Sequence, residues 1–212
     1  MLIERMATGP FGVNTYLLVE NGACAVIDPG GEGQRVAARA ALLGAQVEMI
    51  LITHMHFDHI GGVDELAAAT KAAVYAPLGE LEAGPDPAKN LSAGMGIAPV
   101  FMRTAPEGLK GGQTLYLAGQ PVKVLSTPGH SPDGLSFYID GAVFTGDALM
   151  AGSIGRTDFP GGDMQKLLSG IQKELLTLPE ETKVYPGHMQ ESTIGREKRT
   201  NPFLQGEDLW DL

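Results

Sequence analysis

The sequence predicts an α/β fold in which sheets are covered by helices. Three observations carry this. Apolar runs of strand length alternate with Ala- and Leu-rich runs of helical length. Two dipeptides, Asn21-Gly22 and Asp140-Gly141, each sit between a pair of strand-like runs, as hairpin turns do. The second half of the chain then repeats the style of the first. At 212 residues the chain can bury a substantial core. No low-complexity tract or linker divides it, so residues 1–212 read as one domain.

In order, "NTYLLVE" and "ACAVIDP" form the first hairpin around Asn21-Gly22. "GEGQRVAARAALLG" reads as a helix that Gly44 is placed to end. "QVEMILIT" is a strand whose nearly continuous apolar character suggests cover on both faces, and "VDELAAATKAAV" passes from helix to strand. From Pro77 to Gly112 the chain is rich in Gly and Pro without a firm period. It reads as a long excursion with one short helix, able to act as a lid, and its Met95 and Met102 read as packing residues. "QTLYLAG", "PVKVLSTPGH", "LSFYIDG" and "AVFTGDAL" are strands, the last two paired around Asp140-Gly141. "DMQKLLSGIQKELLTL" is the clearest helix, with Asp163 as N-cap and apolar residues at helical spacing. "KVYPGH" is a short terminal strand, and "STIGREKRTNPFL" a final helix stopped near Pro202.

Composition excludes several classes. A formal net charge of -10 argues against a nucleic-acid partner, which favours a basic face. The one cysteine, Cys24, rules out a disulfide within the chain and reads as a small buried hydrophobe. "MLIERMATGP" lacks the apolar core of a signal peptide, and no stretch approaches the ~20 apolar residues of a membrane span. The expectation is a cytoplasmic protein with no membrane association, no nucleic acid and no obligate protein partner.

The chemistry concentrates at "LITHMHFDHIGG", where His54, His56, Asp58 and His59 follow an apolar strand. The chain has five histidines, and all sit at strand ends or in the loops just after them: these three, His130 after "VKVLSTPG" and His188 after "KVYPG". Asp147 follows "AVFTG" in the same way. Imidazole and carboxylate donors together suit zinc, iron or manganese. Five imidazoles and two carboxylates suffice for two such ions sharing a bridging ligand. His54 and His56, two apart in extended chain, can face one metal. Asp58 and His59, past the turn, can reach a second, and Gly61 and Gly62 relieve crowding where the loop enters the next helix.

"THMHFDH" resembles the THxHxDH signature of the metallo-β-lactamase superfamily, and the likeness continues through "PGH" at Pro128–His130, "FTGD" at Phe144–Asp147 and "YPGH" at Tyr185–His188. The resemblance implies an αββα sandwich. It implies that His54, His56 and His130 hold one metal, that Asp58, His59 and His188 hold the second, and that Asp147 bridges them. Zinc is the expected metal, with iron and manganese as alternatives. Within the superfamily, "GSIGRTDFPGGD" and "TIGREKRTNPF" resemble the short bacterial members of the glyoxalase II (hydroxyacylglutathione hydrolase) group. That implies thioester hydrolysis of the S-lactoylglutathione type by a metal-activated hydroxide, with Asp58 orienting the nucleophile. Arg156, Lys198 and Arg199 are then the candidate substrate-binding cations. The chain departs from the longer enzymes in two ways. It ends about where their helical domain begins, and Arg156 and Asp158 stand where they place a lysine and a tyrosine. An ionised Asp158 cannot replace a tyrosine hydroxyl donor. An iron-dependent persulfide dioxygenase, which shares a "GRTDF"-like stretch, is the main competing reading. A lactonase or β-lactamase, a nuclease and a non-catalytic interaction protein follow.

Overall fold

A computed structural model of the chain describes residues 1–205; residues 206–212 of the expected domain lie outside the described residues. The first half comprises β1 (Leu2–Thr8), β2 (Val13–Glu20), β3 (Ala23–Ile27), α1 (Gly33–Leu42), β4 (Gln46–Leu51), α2 (Phe57–Ile60), α3 (Val63–Thr70), β5 (Ala73–Pro77) and β6 (Glu107–Leu109). The second comprises β7 (Thr114–Leu117), β8 (Gln120–Ser126), β9 (Leu135–Ile139), β10 (Ala142–Gly146), β11 (Leu149–Met150), β12 (Ser153–Ile154), α4 (Met164–Gly170), β13 (Lys183–Pro186), β14 (Ser192–Thr193) and α5 (Ile194–Thr200).

Two six-stranded sheets run in the orders β1-β2-β3-β4-β5-β6 and β14-β13-β10-β9-β8-β7. Both hairpin turns form where the dipeptides stand, with Asn21, Gly22, Asp140 and Gly141 all at positive φ, as the favoured two-residue turn requires. Crossover through α1 makes β3 and β4 parallel, and crossover through α3 does the same for β4 and β5.

The strand period of two sorts the side chains into layers. Leu18, Ala25, Ile27 and Leu51 of the first sheet meet Val124, Phe137 and Phe144 of the second in a central core. Their sequence neighbours Leu17, Val26 and Ile50 point the other way, onto Val36 and Ala40 of α1 and Leu66 of α3. On the far side, Val143 and Val184 pack against Leu167 and Ile171 beneath α4 and Ile194 of α5. The result is the expected αββα sandwich.

Several local expectations needed revision. β1 is a strand that the sequence pattern does not announce; it pairs with β2 along its whole length. The 77–112 excursion carries two 3₁₀ turns, Leu78–Ala83 and Ser92–Gly94, and the edge strand β6. Asp163 does cap α4, accepting the Lys166 backbone N–H, but that helix widens into a π turn at Ile171–Leu175. β4 is covered on both faces only in its second half, because Gln46 and Glu48 are exposed. Met102 is buried as expected, whereas Met95 is 39% exposed and is not a core residue.

Candidate metal centre

Every site residue leaves the C-terminal end of a strand, so the two sheets deliver their loops to one edge of the sandwich. β4 leads to His54 and His56, and α2 then presents Asp58 and His59. β8, β10 and β13 lead to His130, Asp147 and His188. Three groups of donor atoms converge, each with its members within 4.8 Å of one another: His54, His56 and His130; Asp58, His59 and His188; and, between them, His54, His59 and Asp147. The sequence-predicted donors therefore meet in one cluster.

The outer hydrogen bonds orient the imidazoles. The Asp28 carboxylate, just past β3, accepts from the Thr53 N–H at 2.8 Å and the Thr53 hydroxyl at 2.7 Å. It also takes the His59 Nδ1 proton at 2.9 Å. With its proton committed to Asp28, the Thr53 hydroxyl accepts from His54 Nδ1 at 3.0 Å. His130 Nδ1 donates to the Arg156 carbonyl at 2.8 Å. In each case Nε2 is left bare and turned inward, the tautomer a metal ligand needs. His56 differs, presenting Nδ1 toward His130 Nε2 at 3.0 Å. Glu80 ties two of these loops together: it accepts from the Met55 N–H, between His54 and His56, and from the Ser131 hydroxyl and Asp133 N–H beside His130.

Neither Asp28 nor Glu80 was singled out from sequence. Asp28 carried a usable signal, a carboxylate at a strand end followed by Pro-Gly-Gly, the same placement as the other site residues. Glu80 carried none, since it lies in the aperiodic excursion.

Small residues let the cluster close. A Cβ on Gly187 would lie 2.5 Å from Asp147 Oδ1 and 2.6 Å from His59 Cε1. The expected crowding at Gly61 and Gly62 is with the backbone of Gly30 and Gly31.

The donor set fits cations. His54 Nε2, His59 Nε2 and Asp147 Oδ1 are buried without a hydrogen-bond partner, an arrangement that is costly unless something positive sits between them. Burial and the neighbouring imidazoles push His54 well below the ordinary imidazole range and hold His56 at about 3, so both are neutral donors. Burial acts the same way on His59, but the Asp28, Asp147 and Asp58 carboxylates outweigh it and raise its pKa. A proton and a metal therefore compete for His59. Burial raises Asp58 and Asp147, yet the surrounding histidines dominate and keep both carboxyls below their usual range.

A cavity of about 470 Å³ opens onto the cluster, walled on its outer side by apolar side chains that include Phe11, Phe57, Met95 and Phe159. Met95 thus belongs to this wall. Arg156 lies at the rim, where its Nε and Nη2 each donate to an Asp158 oxygen at 2.6 Å. Lys198 and Arg199 are elsewhere: neither lines the cavity, both are exposed on α5, and Arg199 is paired with Glu180 at 2.7 Å. They belong to a solvated helix face.

The family model of the metallo-β-lactamase superfamily matches residues 8–188. The chain belongs to the metallo-β-lactamase superfamily. It is 39% identical over 208 residues to the probable metallo-hydrolase YqgX of Bacillus subtilis, covering 97% of this chain and 99% of that protein. It is 34% identical to the hydroxyacylglutathione hydrolase GloC of Haemophilus influenzae, with 98% and 100% covered. Among solved structures, the BLEG-1 B3 metallo-β-lactamase superposes with a TM-score of 0.92 at 35% identity, covering 97% of this chain and all of that one. TTHA1623 in a di-iron-bound form gives 0.85 at 37%, with 95% and 100% covered. ETHE1 from Myxococcus xanthus gives 0.79 at 29%, with 100% and 92% covered. The protein is accordingly a metallo-hydrolase of this superfamily, and among the described residues no helix is long and apolar enough to cross a membrane.

Proposed function

We propose that this metallo-hydrolase cleaves hydroxyacyl thioesters, with two divalent cations bound at the cluster. His54, His56 and His130 would hold one, Asp58, His59 and His188 the other, and Asp147 would touch both. The observation that carries the reading is the convergence of seven donors with three buried, partnerless polar atoms among them. Full-length similarity to the hydroxyacylglutathione hydrolase GloC supports the thioester class. Zinc suits these donors. Iron does too, and the di-iron-bound relative supports it.

Bound cations supply a nucleophilic water at neutral pH and a Lewis acid for the carbonyl. The chain's residues supply the rest. Asp28, through Thr53, fixes the imidazole tautomers. Asp58, with Oδ2 3.1 Å from His188 Nε2, lines the cavity and would orient the attacking water. In the net reaction water adds to the carbonyl carbon, the C–S bond breaks, and a carboxylic acid and a thiol leave. No serine or cysteine nucleophile is required, and Cys24 is fully buried in the core.

The test is release of free thiol from S-lactoyl thioesters by metal-loaded protein, followed beside an oxygen electrode. Thiol release without oxygen uptake supports the proposal. Oxygen-dependent consumption of a persulfide, with no thiol release from any thioester, would establish the competing dioxygenase reading.

A further inference from the structure

We propose that the site selects thioesters of a neutral, apolar thiol over those of glutathione. This rests on the thioester-hydrolase reading and specifies the group that leaves. The outer wall of the cavity is built from Phe11, Phe57, Met95, Met150, Phe159 and Met189. Phe11 packs edge-on against Phe57, with centroids 5.1 Å apart. The three methionines come from three separate segments: the turn after the Ser92–Gly94 3₁₀ helix, β11, and the residue following His188. Phe11, Met95 and Met189 are 43%, 39% and 49% exposed. Large apolar side chains left exposed around one cavity, rather than scattered singly, mark a surface built to cover an apolar ligand. Methionine adapts to ligands of differing shape, so the wall defines a class of thiol.

The body of glutathione carries two carboxylates and one ammonium, and the wall has little to offer them. Among the described residues lining the cavity, Arg156 is the one Lys or Arg. Its guanidinium is held two-pronged by Asp158, and its Cζ lies over the Phe159 ring, 4.1 Å from the centroid. The pair is exposed and opens at little cost. Opening it nonetheless frees the Asp158 carboxylate beside any arriving one, so the rim stays neutral overall. A carboxylate pressed against the apolar wall loses hydration without gaining a partner. An apolar thiol loses nothing there and sheds ordered water.

Calorimetric titration of metal-loaded protein with benzyl mercaptan and with glutathione tests this, because both offer a sulfur and differ in the body attached to it. The expected dissociation constant for benzyl mercaptan is at least 10-fold lower. Asp158→Asn should narrow the gap by tightening glutathione, and Met95→Glu should narrow it by weakening benzyl mercaptan. Glutathione binding as tightly as benzyl mercaptan, or an unchanged gap in both variants, would overturn the proposal. Parallel thiol-release assays keep the two readings apart. Preference for benzyl mercaptan without hydrolysis of either S-lactoyl thioester would reject the hydrolase reading and leave the pocket's selectivity standing. Hydrolysis of both thioesters with glutathione preferred would do the reverse.

Discussion

Glu80→Ala removes one buried side chain that touches no proposed metal ligand directly, yet it should loosen the half of the site built on His54, His56 and His130. The carboxylate is 6% exposed and accepts from Met55 N at 2.9 Å, Ser131 Oγ at 2.6 Å and Asp133 N at 2.8 Å. Burial pushes its pKa up from the ordinary range, and the three donors pull against that shift. Hydrogen bonds to a charged acceptor contribute about 1.5–3 kcal/mol each, but the part-buried Asp133 N–H can recover water once the carboxylate is gone. The net loss is then roughly 3–5 kcal/mol, dominated by the Met55 N–H and the Ser131 hydroxyl left buried and unpaired. For a chain of this size that lowers Tm by about 10 °C. Glu80→Gln keeps one acceptor oxygen and should lose about half as much. The assay is thermal unfolding with and without added metal, alongside metal analysis. Glu80→Ala should also retain less metal than the wild type. A variant that melts within about 2 °C of the wild type and keeps its full metal content would show that this tether does not hold the loops.

Two further outcomes are expected. Asp147→Ala removes the carboxylate between the two donor triads. It should cost one metal preferentially and cut thioester turnover by at least roughly 10²-fold, with folding largely kept, as metal analysis, kinetics and circular dichroism would show. Burial raises the Cys24 thiol from its ordinary 9.0 to about 12. Between those values the unfolded chain gives up a proton that the folded chain keeps, so Cys24 should contribute a loss of up to about 4 kcal/mol as pH rises, absent in Cys24→Ala unfolding titrations.

The sequence was most legible where local chemistry dictates structure. Asn21-Gly22 and Asp140-Gly141 announced their turns, Asp163 its helix cap, and the donors declared themselves because polar residues closing apolar strands need a reason. What stayed hidden depends on contacts between distant segments. Glu80 lies 51 residues from its partner Ser131, and nothing local marks it. The apolar wall gathers Phe11, Met95 and Met189 from segments with no shared period. Met95 read as packing because composition cannot tell a core methionine from one lining a cavity. Lys198 and Arg199 read as ligand-binding through the likeness of "TIGREKRTNPF" to the glyoxalase II group, but charge on a short helix most often faces water, as it does here. Arg156 lines the cavity, and the Asp158 that pairs with it stands out in the sequence only as an aspartate where the longer enzymes place a tyrosine.

The central claim is that two metals at one carboxylate-bridged cluster support hydrolysis without oxygen. Metal-free protein titrated with zinc or iron(II) under nitrogen, with thiol release from an S-lactoyl thioester read at each addition, tests it directly. The rate should climb to a plateau near two equivalents per chain. A plateau at one equivalent would contradict the dinuclear centre, and no thiol release at any loading would contradict the hydrolase itself.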